Sequence, residues 1–390
     1  MASSTKGWTR ASFDRMAQNV TDRVDDPSEA GVEFYVGLEH LDPDSLKIRR
    51  WGAPTDVEAT KLRFRRGDII FGKRRVYQRK LAVADFDGIC SAHAMVIRAC
   101  PQVADPSFLP FFMQSDAFME RALEISVGSL SPTINWKTLA SQEFDLPPLE
   151  EQRRLSATLV ACDAARETLV DLGRAVRVTQ SGLFERTFAD TSRVARLADL
   201  LSQHIQYGSS TRANPERQGV PMLRIPNVLR GHLDLSDLKW VELPENEVDK
   251  YSVCEGDILI VRTNGNPDYV ARGTTIPRFA ERTVFASYLM RLTPDPSRIS
   301  SSYLAGAIAT PRMRRHLAAS IRSSAGNFNI NAQDLGKTEI PWPDIDQQRL
   351  LEERLMPMAE AEGSIGARSA GFDLVKNSLL ERLKGVEEGA

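Results

Sequence analysis

From Lys61 to Lys80 the chain reads KLRFRRGDIIFGKRRVYQRK, nine basic residues opposed by Asp68 alone. Guanidinium groups hold phosphates and read guanine edges bidentately, and a glutamine among them can read adenine. Arg63 and Arg65 recur at a period of two, as on the solvated face of a strand. Lys73, Arg74, Arg75, Tyr77, Gln78, Arg79 and Lys80 follow an apolar strand and are denser than solubility requires, which points to nucleic acid. A second loop, Val261 to Arg272, offers Arg262, Thr263, Asn264, Asn266, Tyr269 and Arg272, with fewer charges and more amides. Amides suit base-edge hydrogen bonds, yet Asn-Gly and Asn-Pro are equally ordinary turn formers. Two polar stretches add Ser129, Ser131 and Thr133, and Asn327 and Asn329, as further candidates for DNA contact.

Other chemistries find little support. Asn266-Pro267-Asp268-Tyr269 resembles the Asn-Pro-Pro-Tyr tetrad of DNA amino-methyltransferases, but Asp268 replaces the second proline and no glycine-rich cofactor turn precedes it. The chain has no Walker lysine turn, nucleophile elbow or paired-carboxylate nuclease signature. His40, His93, His204, His232 and His316 are scattered, and Cys90, Cys100, Cys162 and Cys254 have no zinc spacing; the thiols suit a reducing cytosol. His93 reads as a buried side chain in an apolar strand, opposite Tyr288 of the second half, and Met113, Met119, Phe111 and Phe112 as helix core. MASSTKGWTR lacks an apolar signal core, and no apolar run approaches membrane-spanning length, so a cytoplasmic protein is expected. The formal net charge of −2 does not by itself announce nucleic acid; the uneven distribution does.

The elements that must position these loops are written twice. Leu146 to Arg186 returns as Trp342 to Arg382, with Gln152 matching Gln348, Leu155 matching Leu351 and Leu183 matching Leu379, each 196 positions apart. A period this long means two copies of one domain-plus-helix unit. Leu155, Leu159, Leu169, Val176 and Leu183 recur as Leu351, Leu355, Ile365, Phe372 and Leu379, the steps of a long amphipathic helix. Prolines ahead of each copy and acids in its first turn mark helix starts. About 38 helical residues at roughly 1.5 Å each make a rod of about 55 Å, and the other copy is the obvious partner for its seam. Ahead of each rod, strands are expected at Tyr35–Leu41, Ile69–Phe71 and Ala92–Arg98, then a helix over Phe108–Glu124; the second half repeats them with Met222–Val228, Ile258–Leu259, Ala286–Leu292 and a helix over Tyr303–Ile321. The division is 1–146, 147–190, 191–341 and 342–390, with a fold class of α+β. The frameworks repeat while the loops differ, which lets one chain read two different things.

Together, the Gly-Asp-Ile strand entries, the polar loops ending at Ile134-Asn135 and Ile330-Asn331, and Leu-Pro-Pro-Leu-Glu-Glu-Gln-Arg at the first helix start carry a family resemblance. The chain resembles the DNA-specificity subunit of Type I restriction-modification systems over nearly its whole length. The second copy keeps Gln348-Arg349 but loses the double proline. The resemblance implies two pseudo-symmetric mixed α/β target recognition domains, separated by two long helices packed as an antiparallel coiled coil. It implies double-stranded DNA as ligand, each domain reading half of a split asymmetric site, and two modification subunits plus motor-nuclease restriction subunits as partners. S-adenosylmethionine, ATP and Mg would sit in those partners, with no cofactor, metal or catalytic residue in this chain. The recognition subunit of a fused methyltransferase-nuclease system shares this architecture, and a stand-alone DNA-binding regulator would use the helices to dimerise.

Overall fold

The computed structural model describes residues 7–129, 131–229, 231–324 and 326–383. They fall into two compact units, residues 1–171 with 366–390, and residues 172–365.

The first unit runs β1 (Thr9–Ser12), α1 (Phe13–Met16), β2 (Ala17–Val20), β3 (Arg23–Val24), β4 (Tyr35–Val36), β5 (Lys61–Phe64), β6 (Ile69–Gly72), β7 (Leu81–Val83), β8 (Gly88–Cys90) and β9 (Ala94–Ala99). It continues through α2 (Leu109–Gln114), α3 (Asp116–Glu124), α4 (Trp136–Ala140) and β10 (Glu143–Leu146) into α5 (Leu149–Asp190). Two four-stranded sheets form, in the orders β2-β9-β6-β7 and β3-β5-β8-β4. The unbroken apolar run of β6 has a simple cause. Side chains alternate across a strand; Ile69 and Phe71 enter one core with Phe13, Phe112 and Phe118, while Ile70 enters another with Phe64 and Val96.

The second unit begins within α5 and runs β11 (Val194–Arg196), β12 (Gln206–Tyr207), β13 (Val220–Leu223), α6 (Ile225–Val228), β14 (Lys239–Val241), α7 (Glu245–Tyr251), β15 (Ile258–Val261), β16 (Thr263–Asn264) and β17 (Gly273–Thr275). Then come β18 (Val284–Phe285), β19 (Leu289–Leu292), α8 (Ser301–Ala309), α9 (Pro311–Ala318), β20 (Arg322–Ser324), β21 (Asn327–Asn329), α10 (Ala332–Gly336), β22 (Glu339–Pro341) and α11 (Ile345–Glu381). Its β12-β19-β15-β17 sheet repeats β2-β9-β6-β7, and the β11–β22 pair repeats β1–β10. The parallel β13–β18 pair likewise repeats β4–β8. Ile258 and Ile260 face one core, Leu259 and Val261 the other. The duplication read from the sequence is thus a duplication of one sheet's topology, while the second sheet is β3-β5-β8-β4 in the first unit and β14-β13-β18 in the second, where β16-β21-β20 is added.

Four expected elements differ; the strand expected over Met222–Val228 ends at Leu223 and gives way to α6, with Pro226 in its first turn. Phe108–Glu124 is two helices, because Ser115 is extended (φ −64, ψ 155) and its hydroxyl caps α3 by accepting from Phe118 N. Thr310 breaks the second-half helix in the same way, accepting from Met313 N. A short hydroxyl side chain satisfies an otherwise orphaned N–H, so Ser or Thr starts a helix more readily than it continues one. The strand expected from Tyr35 lasts two residues before a 3-10 turn at Leu38–His40. His93 is exposed, in the turn ahead of β9, and not buried.

Both rods form, and they run antiparallel. In the first unit Lys376 Nζ donates to Asp163 at 2.9 Å, and Arg166 pairs with Asp373 at 3.0 Å. In the second unit Gln180 Nε2 donates to Glu362 at 3.2 Å and Arg177 pairs with the same carboxylate. Numbers rise along one helix as they fall along the other. The ends of the predicted seam also serve the domains: Leu155 and Leu159 enter the first core with Leu379, Leu380 and Leu383, and Leu351, Leu183 and Leu355 enter the second with Phe184 and Phe188. The middle residues Leu169, Val176, Ile365 and Phe372 are half-buried, the most that two helices alone provide.

Each rod is tied to its domain by one glutamine. Gln152 Oε1 accepts from Asp105 N at 2.8 Å, while Nε2 donates to Val103 O at 3.0 Å and Pro147 O at 2.9 Å. Gln348 repeats this with Ser300 N, Arg298 O and Pro343 O at 2.9, 3.0 and 2.9 Å. Both side chains are buried, so these hydrogen bonds replace water that cannot reach them. Among the described residues no helix is long and apolar enough to cross a membrane.

Candidate nucleic-acid interface

The basic loop of the first half connects β6 to β7. Gly72 N donates to Lys80 O at 2.9 Å, closing its base, and buried Val76 anchors a 3-10 turn over Val76–Gln78. Arg75 (φ 58) and Arg79 (φ 50), which bracket this turn, are both left-handed. Non-glycine residues seldom adopt that conformation, and those that do concentrate at functional loops. The second half reproduces it: Ala271 (φ 61), like Arg79, stands two residues before the returning strand.

Folding joins the candidate stretches in each half. Ile134 N donates to Lys73 O at 3.0 Å, Arg75 N to Pro132 O at 2.7 Å, and Arg75 Nε to Ser131 Oγ at 3.3 Å. Thr133 bridges to Arg74 and to Val127, and Ser129 lies exposed between. In the second half β16 pairs with β21 through Thr263–Asn329 and Asn264–Phe328, and Ile330 N donates to Arg262 O at 3.0 Å. Asn327 is exposed at the start of β21.

The candidate side chains divide by partner. Arg75 and Tyr77 are exposed, and Lys73, Arg74 and Gln78 half-buried; Lys73, Arg74 and Arg75 meet no carboxylate among the described residues. Arg79 is spent internally, on Asp44 at 2.7 Å, Asp116 at 3.1 Å and the Gln114 carbonyl, and Lys80 Nζ donates to Leu38 O. Asn264 and Asn266 use their carbonyl oxygens to accept from Asn266 N and Asp268 N, so the Asn-Pro-Asp-Tyr segment is a capped 3-10 turn. Exposed Arg272 lies over the half-buried ring of Tyr269, 5.3 Å from its centroid.

Three side chains here were not among the DNA candidates read from the sequence: His93, which was read as core, Tyr288 and Tyr207. Arg74 Nη1 lies 3.4 Å from His93 Nε2, and partial burial together with the cations Arg74, Lys73 and Lys61 holds that imidazole below its usual pKa. Tyr288, exposed in the equivalent turn, offers its carbonyl to Arg262 N at 2.8 Å. Arg262 stacks on Tyr207 at 4.5 Å, and the Tyr207 hydroxyl accepts from Ala332 N at 2.8 Å. The turns Ala92–His93 and Ser287–Tyr288, aligned by the repeat at an offset of 195, were the available signal. Beside Lys73 a concavity of about 640 Å³ is lined by Asn19, Thr133, Asn135 and Trp136 among others. Among the described residues no group of three His, Cys, Asp or Glu side chains could hold a metal ion. The arrangement is cations, aromatic faces and amides on rigid turns, which suits phosphate and base-edge contact.

A family model described as the Type I restriction modification DNA specificity domain matches residues 57–171, which hold β6, the basic loop and the first part of α5. The chain is 22% identical to the Type I restriction enzyme EcoKI specificity subunit of Escherichia coli (strain K12) over 64% of its own length and 57% of that protein's. It is 22% identical to the StySPI specificity subunit of Salmonella potsdam, over 64% of this chain and 58% of that one. The chain thus spans about half the length of the curated relatives it matches. A crystal structure of the Type-I restriction-modification system S subunit from M. genitalium shares the fold, with a TM-score of 0.57 and 14% identity across 97% of this chain and 96% of that one. The chain is similar to Type I specificity subunits in these stretches, in keeping with the resemblance read from its sequence.

Proposed function

We propose that this chain is the sequence-specific DNA-binding subunit of a Type I restriction-modification complex. Residues 1–146 and 191–341 are its two reading domains, each taking one half of a bipartite, asymmetric site; 147–190 and 342–390 are its helical scaffold. The observation that carries this reading is one loop-to-loop framework built twice with different side chains. Arginines and lysines ride it in the first half, asparagines, Tyr269 and Arg262 in the second. Equivalent backbones suit the near two-fold symmetry of duplex DNA, and unlike side chains free the half-sites from being palindromic.

The chain performs no chemistry in this proposal. Two modification subunits would bring S-adenosylmethionine, and motor-nuclease subunits ATP and Mg. The helices leave Val160, Leu172, Val178, Met356, Leu374 and Val375 exposed, apolar surface of the kind partner subunits cover. Mapping methylated adenines in a host carrying this chain and its neighbouring modification subunit tests the proposal. A discontinuous, non-palindromic motif is expected; a continuous palindrome would refute it. S-adenosylmethionine binding by the isolated chain would refute the absence of chemistry.

A further inference from the structure

The two halves carry positive charge on different elements, and we infer that in the second half α9 and β20 supply the DNA-phosphate contacts, through Arg315 and Arg322. This rests on the DNA-binding reading above.

Helices α3 and α9 are the same element in the two halves. Their caps are Ser115 and Thr310, and their buried residues Phe118 and Ala122 correspond to Met313 and Leu317, at a constant separation of 195. Each packs on its candidate loop: Asp116 accepts from Arg79 at 3.1 Å, and Arg314 Nη2 donates to Asp268 O at 3.0 Å. Their charges are opposite. Helix α3 holds Asp116, Glu120 and Glu124 against Arg121, a net of −2; α9 holds Arg312, Arg314 and Arg315 with no acid, a net of +3. The loops compensate. Lys73–Lys80 has five cations and no acid, whereas Arg262–Arg272 has two arginines and Asp268. Loop and helix together therefore carry +3 in the first half and +4 in the second. The totals differ by one charge while the carrier changes.

Single positions sharpen this. Glu120 corresponds to Arg315, a reversal of sign at one surface site. Met119, buried in the first half, corresponds to Arg314, which is half-buried with Nη1 facing no acceptor. Burial and the neighbouring cation Arg272 both work against its charge. The Asp268 carboxylate offsets this only in part, and crowded cations are what an incoming polyanion relieves. Arg312 is otherwise engaged, with Glu185 and over the Phe188 ring. Arg315 and Arg322 are exposed and meet no acid among the described residues. Arg322 is the register partner of Asn329, whose other partner is Thr263 of the candidate loop, so Arg322 and the loop share one sheet.

The test is fluorescence anisotropy of the full chain on a labelled duplex of arbitrary sequence, titrated between about 50 and 200 mM salt. Each lost phosphate contact lowers the slope of log affinity against log salt by about 0.9. Arg315→Gln with Arg322→Gln should therefore flatten it by about 1.8, shrinking the affinity ratio between the two salts about twelvefold. Arg315→Lys with Arg322→Lys, which keeps the charge, should retain the slope and confirms that the fold is intact. Arg121→Gln, on the first-half helix, should leave it unchanged. If wild-type binding lacks salt dependence, the DNA-binding reading itself fails. If Arg74→Gln with Arg75→Gln flattens the slope while Arg315→Gln with Arg322→Gln does not, this inference alone is overturned. An equal loss from Arg121→Gln would overturn it too.

Discussion

Replacing Gln152 probes how a rod is held to its domain. The side chain makes three hydrogen bonds of 2.8–3.0 Å and is 1% exposed. A buried hydrogen bond contributes about 1 kcal/mol net, and stranding its partner costs about as much or more. Gln152→Leu leaves Asp105 N–H, Val103 C=O and Pro147 C=O without that partner, so a loss of about 3 kcal/mol is expected. Gln152→Glu is the sharper variant. It keeps the acceptor for Asp105 N–H but turns a carboxylate oxygen towards two carbonyls, which no ionised group tolerates in a buried site. Its penalty should exceed that of Gln152→Leu at pH 8 and shrink towards pH 5, where protonation restores a donor. By calorimetry, about 3 kcal/mol lowers the midpoint of a unit this size by roughly 6–12 °C. Gln348→Glu should reproduce the effect in the second unit. Were Gln152→Glu as stable as wild type at pH 8, the hydrogen bonds drawn here would not be holding the rod.

Other expectations follow from single contacts. Arg74→Ala with Arg75→Ala should flatten the salt dependence of DNA binding by about 1.8; an unchanged slope would make that cluster a solvated face. A Cβ on Gly306 would clash with the Phe184 ring, so Gly306→Ala should destabilise by about 1–3 kcal/mol, and Phe184→Leu, the residue type at the equivalent Leu380, should recover most of it in a double-mutant cycle. Gly363, Gly366 and Gly371 of α11 would meet nothing within 4 Å, so each Gly→Ala change should raise stability by up to about 1 kcal/mol in denaturant titrations. Burial pushes the Cys90 thiol up to about 12, so a disulfide reagent at pH 8 should modify exposed Cys254 first and leave Cys90 intact until unfolding.

Much of this architecture was legible because duplication marks itself: Gln152 and Gln348 share a register that two unrelated helices would not, and the sheets β2-β9-β6-β7 and β12-β19-β15-β17 agree with that equivalence. What the glutamines do was hidden, since Val103 and Asp105 reach Gln152 only through tertiary folding. Ser115 and Thr310 were passed over as helix interior because apolar periodicity continues on both sides, whereas local capping decides the break. His93 looked like core from its apolar neighbours, but it precedes the first paired residue of β9, so the turn turns it outward. In the loops, composition overcounted the free side chains: Arg79 and Lys80 bond inward, and Asn264 and Asn266 complete turns. The cations of α9 were missed because their meaning appears only beside α3.

One feature of the first unit bears on how the chain is made. Its core is closed by Leu380 and Leu383, and the partly buried Lys376–Asp163 pair joins residues 213 positions apart. During synthesis the amino-terminal domain therefore emerges with a greasy slot on α5 that stays vacant until the whole second half has left the ribosome. Contacts of such long sequence separation form late and leave apolar surface open to aggregation meanwhile. The half translated first is the half completed last.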